Sequence, residues 1–315
     1  MRYHYFMKQI YFYLFLFAVS VLAGCSPKVV PVKAKVVATD SAKARPIVVI
    51  DTNAKPVVIV RRGPFAKTDS FYTAKTDSLV ALAKKQQPAM LIDSSGMAIP
   101  SDFVGTVNFG IRKPNYVIIH FTAQDSIQQT LKTFTLTSTQ TSAHYVIAKD
   151  GKIFHMVNDY LRANHAGAGK WGSVTDMNSC SLGIEIDNNG SEPFTDAEVK
   201  SLLLLLDYMK KTYNIPTANF IGHQDFAPKR KPDPGPLFPW KILAQHGFGY
   251  WADDLLVDIP PPTFDPAIAL RLIGYDTSDL NAAIVAFKRH FVQTDITPQL
   301  TPMDLMVLYN VSKKY

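Results

Sequence analysis

Cysteine is scarce in this chain of 315 residues, which has only Cys25 and Cys180. Two cysteines allow at most one disulfide, so the fold does not depend on a disulfide framework. The sequence shows no internal repeat, and it lacks the skewed composition of disordered or collagen-like chains, because 47% of its residues are hydrophobic and 19% are charged. Its length suits a globular protein of about one to three domains.

Acidic residues are fewer than basic ones. The chain has 26 Asp and Glu and 33 Lys and Arg, which gives a formal net charge of +7. A basic balance raises the question of nucleic-acid binding, but the excess lies at the front of the chain. Residues 26–100 hold 12 Lys and Arg against 5 Asp, and residues 1–24 add +2, so residues 101–315 carry −2. The part able to fold is nearly neutral, and no nucleic-acid partner is expected.

The front of the chain resembles a bacterial lipoprotein signal peptide. Early charge at Arg2 and Lys8 precedes the apolar run Ile10–Ala23, whose 14 residues suit a signal-peptide core but are too few to span a bilayer comfortably. The run leads into Leu-Ala-Gly-Cys, a cleavage pattern after which Cys25 becomes the lipidated first residue. We therefore expect residues 1–24 to be a signal peptide and the protein to be exported and membrane-anchored. A short membrane anchor with a chance cysteine is the alternative.

The region that follows, 25–100, is predicted to be a lipidated flexible tether. Pro27–Pro64 contains five prolines and no helical periodicity, and only a short helix around Asp77–Lys85 is indicated. About 75 residues of flexible chain would reach roughly 50 Å. Because Ser26 rather than Asp follows Cys25, resemblance to lipoprotein sorting in enteric bacteria predicts the outer membrane, with the folded part facing the periplasm.

Short apolar runs alternate with helical patterns after the tether, which predicts an α/β domain over 101–258. The segments predicted as strands are Pro114–His120, a hairpin of Ala143–Ala148 with Lys152–Val157, Leu182–Ile186 and Asn219–Gly222. Asp150 and Gly151 supply the hairpin turn. Thr195 and Glu198 form a capping box that begins a helix continuing to about Tyr213.

The pattern changes after the prolines at 260–262. Asp265–Ile273, Ser278–Phe291 and Thr301–Tyr309 are predicted to be three short helices, the last with Thr301 as its cap and a proline at its first position. We expect them to form a small separate helical bundle over 263–315.

Two histidines and one carboxylate stand out as candidate metal ligands. His223 and Asp233 lie ten residues apart in a proline-rich loop with few backbone options, and His120 ends the first strand. Three protein ligands leave the fourth tetrahedral position of zinc open for water, as in catalytic zinc sites. Spacing alone does not decide the matter, because a histidine at a strand end is often only a hydrogen-bonded structural group.

The sequence resembles the zinc-dependent N-acetylmuramoyl-L-alanine amidases of the amidase-2 family. The segments that carry the resemblance are Val117–Ala123, Ser142–Tyr145, His165–Gly167, Leu182–Glu185 and Gly222–Gly235, the last being the most specific. The resemblance implies a zinc amidase fold with a central mixed β-sheet flanked by helices. It makes His120, His223 and Asp233 the zinc ligands, Glu185 the acid/base residue, and Lys231 the group that stabilises the transition state.

Three further residues are candidate substrate contacts, namely His144, His165 and Arg230. For the two histidines, a role in packing and hydrogen bonding beside the cleft is an equal alternative. Two positions depart from the family pattern, since Phe121 stands where a second histidine is common and Asn164 where an aromatic residue is frequent.

The helical segment at the end of the chain has a resemblance of its own. Ala267–Asp276 and Ala282–Phe291 look like a peptidoglycan-binding domain, although generic amphipathic helix packing is the alternative. Cys180 is expected to be a buried residue beside a strand and not a nucleophile.

Taken with the amidase resemblance, the sequence predicts a monomeric zinc hydrolase that acts on peptidoglycan or muropeptides at the bond between N-acetylmuramic acid and L-alanine. The amidase would serve cell-wall turnover or recycling. A non-catalytic peptidoglycan recognition module is the first alternative, and a zinc peptidase that cuts within the stem peptide is a more distant one. Because Glu185, Lys231 and Asp233 are all present, the sequence favours catalysis.

Overall fold

A computed structural model describes residues 34–35, 49–50, 66–85, 91–92, 94–99, 101, 103–104, 106, 108, 110–256 and 258–315. The chain divides into two units, Met1–Gln86 and Gln87–Tyr315. The predicted signal peptide and Cys25 lie outside the described residues. Within them, no helix is both long enough and apolar enough to cross a membrane.

The first unit contains two short paired strands, β1 (Ala34–Lys35) and β2 (Val49–Ile50), and the helix α1 (Ala66–Ala83). All three fall in the segment predicted to be a flexible tether. The helix is longer and begins earlier than the short helix predicted around Asp77–Lys85. Most of the remaining tether lies outside the described residues, so its flexibility stays a prediction.

The second unit carries the candidate site. Its strands are β3 (Leu91–Ile92), β4 (Ala98–Ile99), β5 (Tyr116–Phe121), β6 (Tyr145–Ile147), β7 (Ile153–His155), β8 (Ser181–Ile186) and β9 (Phe220–Gly222). Its α-helices are α2 (Ile127–Thr135), α3 (Met177–Cys180), α4 (Asp196–Tyr213), α5 (His223–Phe226), α6 (Trp240–Gln245), α7 (Pro266–Ile273), α8 (Leu280–Phe291) and α9 (Pro302–Ser312). Two 3₁₀ turns lie at Thr137–Thr139 and Thr217–Asn219.

Five strands form one mixed sheet in the order β7-β6-β8-β5-β9. Strands β6, β8, β5 and β9 run parallel, and only β7 is antiparallel, as the second strand of the predicted hairpin. The register of β5 with β8 places His120 beside Glu185. Because parallel strands end at the same edge of a sheet, the polar residues at those ends are brought together there.

One face of the sheet is covered by α4. Its capping box is present as predicted, since the Thr195 hydroxyl accepts from the Glu198 N–H and the Glu198 side chain accepts from the Thr195 N–H. Leu202, Leu206 and Met209 of this helix are fully buried against one face of the sheet in a single apolar core. The long helix predicted from the capping box is therefore confirmed.

The opposite face of the sheet is covered by the helices at the end of the chain. The three predicted helices are present as α7, α8 and α9, with Asp265, Asp279 and Thr301 as their N-caps. Ile118 and Ile221 of the sheet share one hydrophobic core with residues of all three helices. This segment was expected to be a separate bundle. Its buried residues instead pack against the sheet, so the three helices and the sheet share one hydrophobic interior.

Candidate metal centre

Three ligand atoms converge at the carboxyl-terminal edge of the sheet. His120 lies near the end of β5, His223 begins α5 directly after β9, and Asp233 lies in the loop that follows. Nδ1 of His120 is 2.9 Å from Nδ1 of His223 and 2.9 Å from Oδ2 of Asp233. Nδ1 of His223 is 3.1 Å from the same oxygen. All three residues are at most 5% exposed, so the structure brings together the three residues predicted to be ligands.

Nε2 of His120, which faces away from the other two candidate ligands, belongs to a chain of hydrogen bonds. The carbonyl oxygen at the end of this chain determines which atom donates at each step. The Met177 carbonyl oxygen can only accept, so the Ser181 hydroxyl, 2.5 Å away, donates to it. Ser181 then accepts from Nε2–H of His165 at 3.3 Å, which leaves Nδ1 of His165 as an acceptor for Nε2–H of His120 at 3.1 Å. In this tautomer, Nδ1 of His120 presents a lone pair to the centre.

The same reasoning applies to His223. Its Nε2 lies 2.8 Å from the Ala166 carbonyl oxygen, which can only accept, and 3.1 Å from Nη2 of Arg230, which can only donate. Because this Arg230 nitrogen already donates to the Ala166 and Ala168 carbonyls, we assign the proton to Nε2 of His223. Burial lowers the pKa of His223 to about 4, although the negative charge of Asp233 opposes that shift. The ring is therefore neutral at physiological pH, and its Nδ1 also presents a lone pair to the centre.

The donor set fits a zinc ion. Two imidazole lone pairs and a carboxylate oxygen face one another within 3.1 Å, and no proton is left to lie between them. A tetrahedral zinc with ligands at roughly 2.0–2.1 Å would hold such atoms about 3.3 Å apart. A cation is what this arrangement of lone pairs requires.

His165 packs directly on the sheet beneath the site. A Cβ atom on Gly183 of β8 would lie 2.3 Å from the His165 ring, so this position accepts only glycine. Burial, followed by the nearby histidines, lowers the pKa of His165 well below its ordinary value and keeps the ring neutral. The structure therefore places His165 as the residue that orients His120, and its ring also lines the cleft.

Glu185 lies next to His120 on the adjacent strand and lines the cleft. Burial raises the pKa of its carboxyl group to about 7, with His120 lowering it and Asp233 raising it. Among the described residues, Oε2 of Glu185 is buried and has no hydrogen-bond partner. A carboxylate with a free acceptor beside a metal centre can take up and return a proton.

The cleft at this edge has a volume of about 440 Å³. Lys231 lines it between Arg230 and Pro232. Nη2 of Arg230 donates to the carbonyl oxygens of Ala166 and Ala168, at 2.8 and 2.6 Å, which holds this exposed residue at the rim. The other lining residues are His120, Phe121, Thr122, Ala123, Gln124, Thr133, Phe134, Thr141, Ser142, Asn164, His165, Glu185, His223, Pro232 and Asp233.

His144 is not among the residues that line the cleft. It is fully buried, its Nδ1 accepts from the Gly183 N–H at 3.0 Å, and its Nε2 lies 3.1 Å from the Leu161 carbonyl oxygen. Its placement is that of a structural histidine, and the predicted substrate contact has no support from it. Cys180 is half-buried directly before β8, and burial raises the pKa of its thiol, in keeping with a residue that is not a nucleophile.

Sequence reasoning missed Ser181 and the wall of the cleft formed by α2. Gly183 offered a signal, because a glycine inside a strand pattern often marks a close approach of another group. Ser181 and the α2 residues Thr133 and Phe134 carried none, since hydroxyl and aromatic residues are common in strands and helices alike.

Comparisons with known proteins find similar sequences and structures. The family model of N-acetylmuramoyl-L-alanine amidases (Amidase_2) matches residues 111–236. The chain is 35% identical to the N-acetylmuramoyl-L-alanine amidase AmiD of Escherichia coli over 56% of this chain and 75% of AmiD. It is 40% identical to the 1,6-anhydro-N-acetylmuramyl-L-alanine amidase AmpD of Haemophilus influenzae, over 32% of this chain and 55% of AmpD.

Two solved structures are similar to this one. The first is AmiD from E. coli with the substrate anhydro-N-acetylmuramic acid-L-Ala-D-γ-Glu-L-Lys, with a TM-score of 0.59 and 30% identity over 71% of this chain and 97% of that one. The second is AmpDh3 from Pseudomonas aeruginosa with anhydromuramic pentapeptide, with a TM-score of 0.59 and 27% identity over 72% of this chain and 99% of that one.

Proposed function

Because the chain belongs to the N-acetylmuramoyl-L-alanine amidase family, we propose that the centre formed by His120, His223 and Asp233 is its zinc site. The enzyme hydrolyses the amide bond between N-acetylmuramic acid and L-alanine in cell-wall recycling. The observation that carries the zinc assignment is the convergence of two imidazole lone pairs and one carboxylate oxygen within 3.1 Å. When bound, zinc polarises a carbonyl group and lowers the pKa of a water molecule.

The proton transfers fall to Glu185. Its free Oε2 takes the proton of the attacking water and then gives it to the amide nitrogen, which leaves as the amine of L-alanine. The raised pKa of this carboxyl, about 7, suits a group that must both accept and release a proton near neutral pH. Glu185 thereby serves as base in the first step and acid in the second.

Lys231 stabilises the negative charge that develops on the carbonyl oxygen of the substrate. Lys231 lines the same cleft as Glu185 and the ligands. A fixed positive charge near the developing oxyanion stabilises the transition state more than the neutral amide. Arg230, which is held at the rim by the Ala166 and Ala168 carbonyls, contacts the substrate outside the reacting bond.

The substrate class is the soluble muropeptide, including the 1,6-anhydro form. Both solved relatives contain an anhydromuramyl peptide, and this chain has an open cleft of about 440 Å³ at its candidate metal centre.

Mass spectrometry of muropeptides digested with the purified chain tests this function. The expected products are a free stem peptide that begins with L-alanine and a sugar that bears a free lactyl carboxyl group. A chelator should abolish cleavage, and added zinc should restore it. Cleavage within the stem peptide would contradict the amidase assignment, and cleavage unaffected by chelator would contradict the zinc assignment.

The location of the enzyme is a separate proposal that rests on the sequence alone. The apolar run Ile10–Ala23 followed by Cys25 supports export, lipidation of Cys25 and anchoring at the outer membrane, facing the periplasm. Cys25→Ser should move the protein from the membrane fraction to the soluble fraction or leave it unprocessed, with muropeptide hydrolysis by the purified protein unchanged. A Cys25→Ser protein that is processed and stays in the membrane fraction would contradict lipidation.

A further inference from the structure

A buried carboxylate next to the metal centre is held by residues from the end of the chain. Asp225 is fully buried and lies two residues after the ligand His223. Its Oδ1 accepts from the Tyr275 hydroxyl at 2.9 Å, and its Oδ2 lies 2.8 Å from Nδ1 of His290. These partners follow 50 and 65 residues later in the sequence and belong to the helical segment that covers the sheet. Both are themselves buried, at 2% and 3% exposure.

Asp225 controls the short helix that presents a metal ligand. Its Oδ2 also accepts from the Gly222 N–H at 2.7 Å, which fixes where the sheet ends and α5 begins. The neighbouring Gln224 N–H donates to the Asp233 carbonyl oxygen at 2.7 Å. One turn of helix therefore carries His223 and also holds the loop that carries Asp233, so a shift of this turn would move two of the three ligands.

Tyr275 also holds the loop of residues 166–171, which contacts Nε2 of His223. The Tyr275 ring packs edge-on against Trp171 with 4.9 Å between centroids, and the two backbones form a β-bridge. Lys170, next to Trp171, donates its N–H to the Phe226 carbonyl oxygen at 2.7 Å. The same loop supplies the Ala166 carbonyl that accepts from His223.

His290 is positioned as firmly as Tyr275. Its ring stacks on Trp240, with 3.8 Å between centroids and 14° between planes. Since Trp240 is 1% exposed, the imidazole cannot turn away without opening the core. The donor of the His290–Asp225 contact is thus fixed by packing that is independent of the metal.

We propose that the helices at the end of the chain position the metal centre: Tyr275 and His290, acting through Asp225, fix the turn that presents His223 and the loop that carries Asp233. This inference rests on the assignment of His223 and Asp233 as zinc ligands. It gives the helical segment a role inside the catalytic domain, whereas the sequence suggested only a resemblance to a peptidoglycan-binding domain. Residues that orient metal ligands typically change metal affinity or activity by about 10- to 100-fold when they are removed.

Two substitutions in the full chain test the inference, each with a matched control. Tyr275→Phe removes one hydroxyl, and its control Tyr213→Phe removes a similar buried bond, from the Tyr213 hydroxyl to Asp159 at 2.6 Å, in a cluster that does not line the cleft. His290→Leu removes the donor. Its control, Leu308→Ala, damages the core of the same helical segment but removes no hydrogen bond to Asp225. His290→Asn keeps a donor at the position of Nδ1.

Zinc affinity is measured by equilibrium competition with a chromogenic chelator, the geometry of the site by the visible spectrum of the cobalt-substituted protein, and stability by urea unfolding. Hydrolysis of soluble muropeptides and digestion of intact peptidoglycan are measured in parallel. We expect Tyr275→Phe and His290→Leu to weaken zinc binding at least about tenfold and to alter the cobalt spectrum. The two controls should lose stability but keep the affinity and the spectrum, and His290→Asn should recover part of the affinity.

The inference is overturned if Tyr275→Phe and His290→Leu match their controls in zinc affinity and cobalt spectrum, or if they slow only the digestion of intact peptidoglycan. His223→Ala separates this failure from a failure of the ligand assignment. If His223→Ala loses zinc while the Tyr275 and His290 variants behave as controls, only the positioning role is wrong. If His223→Ala keeps its zinc, the assignment of the ligands is wrong, and the positioning role is wrong with it.

Discussion

Two buried carboxylates of the same domain, Asp159 and Asp233, both lie among polar side chains, yet only the group around Asp233 forms a candidate metal centre. Oδ2 of Asp159 accepts from the Tyr145 and Tyr213 hydroxyls at 3.0 and 2.6 Å, and Oδ1 lies 3.3 Å from Nε2 of His155. Each hydroxyl brings its own proton. These two protons satisfy Oδ2 of Asp159, while Oδ1 has only the ion-pair contact with His155 when that ring is protonated.

The side chains around Asp233 differ from those around Asp159 because their protons point away from the carboxylate. Both neighbouring imidazoles use their Nε2 protons elsewhere, His120 toward His165 and His223 toward the Ala166 carbonyl. Their Nδ1 lone pairs then face the carboxylate, an arrangement that repels unless a cation lies between them. The comparison teaches that the hydrogen bonds on the far side of each ring, rather than the number of polar residues, distinguish a metal site from a structural cluster.

The largest effect is expected from removing the ligand carboxylate. Asp233→Ala should lose zinc and reduce hydrolysis by more than about a thousandfold, because metal catalysis supplies several kcal/mol of transition-state stabilisation. The metal-free form should be no less stable than metal-free wild type, since removing an unpaired buried charge relieves its desolvation cost. Elemental analysis, kinetics and urea unfolding measure the three quantities. Zinc retained in full by Asp233→Ala would contradict the ligand assignment.

A smaller loss is expected when the ligands stay and the proton carrier changes. Glu185→Gln should keep zinc and the fold but lower kcat by about 10²- to 10⁴-fold, because an amide cannot accept the proton of the water. Glu192→Gln, which removes an exposed ion pair with Lys149, is the matched control and should remain near wild type. A Glu185→Gln enzyme within tenfold of wild type would exclude Glu185 as the base.

The ligands were predictable from the sequence through the family resemblance, while local features only made them candidates. His120 ends an apolar strand, and His223 and Asp233 share a loop whose prolines leave few conformations. The capping box of Thr195 and Glu198 likewise predicts a helix from neighbouring residues alone. Contacts within about ten residues leave a pattern that can be read from one sequence.

The parts that could not be predicted depend on distant contacts. Tyr275 and His290 look like ordinary residues of an amphipathic segment, and their partner Asp225 lies 50 and 65 residues away. His144 and His165 look alike in the sequence, but one is enclosed by backbone and the other lies under a ligand. Only the packing of the sheet separates the two roles.

A change of about tenfold is expected from the residue that orients His120. His165→Leu should lower zinc affinity by about that factor, because Nε2–H of His120 loses its acceptor and the tautomer is no longer fixed. Ser181→Ala should have a weaker effect in the same direction, since it removes only the outer end of the chain of hydrogen bonds. Chelator competition measures both. If Ser181→Ala weakens zinc binding more than His165→Leu, the proposed direction of the chain is wrong.

The smallest effect on catalysis is expected at the second carboxylate. Asp159→Asn should leave zinc content and kcat unchanged but lower the free energy of unfolding by about 1–3 kcal/mol, as expected when hydrogen bonds to a buried charged group are weakened. Asp207→Asn, which removes an exposed ion pair with Lys211, is the control and should cost less than about 1 kcal/mol. Urea unfolding over a range of pH measures both.

The pH dependence of this loss follows from two shifts. Burial raises the pKa of Asp159, but the hydrogen bonds from His155 and the tyrosines outweigh burial and lower this pKa. The stability that the Asp159 carboxylate contributes is therefore present above about pH 4 and is lost as the pH falls through the pKa of the folded state. The hydrogen bond to Asp159 raises the pKa of His155. The stability that protonated His155 contributes is therefore present below about pH 6.5 and is lost as the pH rises through the pKa of the folded state. The difference between wild type and Asp159→Asn should therefore be largest between about pH 4 and 6.5. A difference that instead follows zinc occupancy would mean that the two carboxylate clusters are coupled, and the distinction between them would fail.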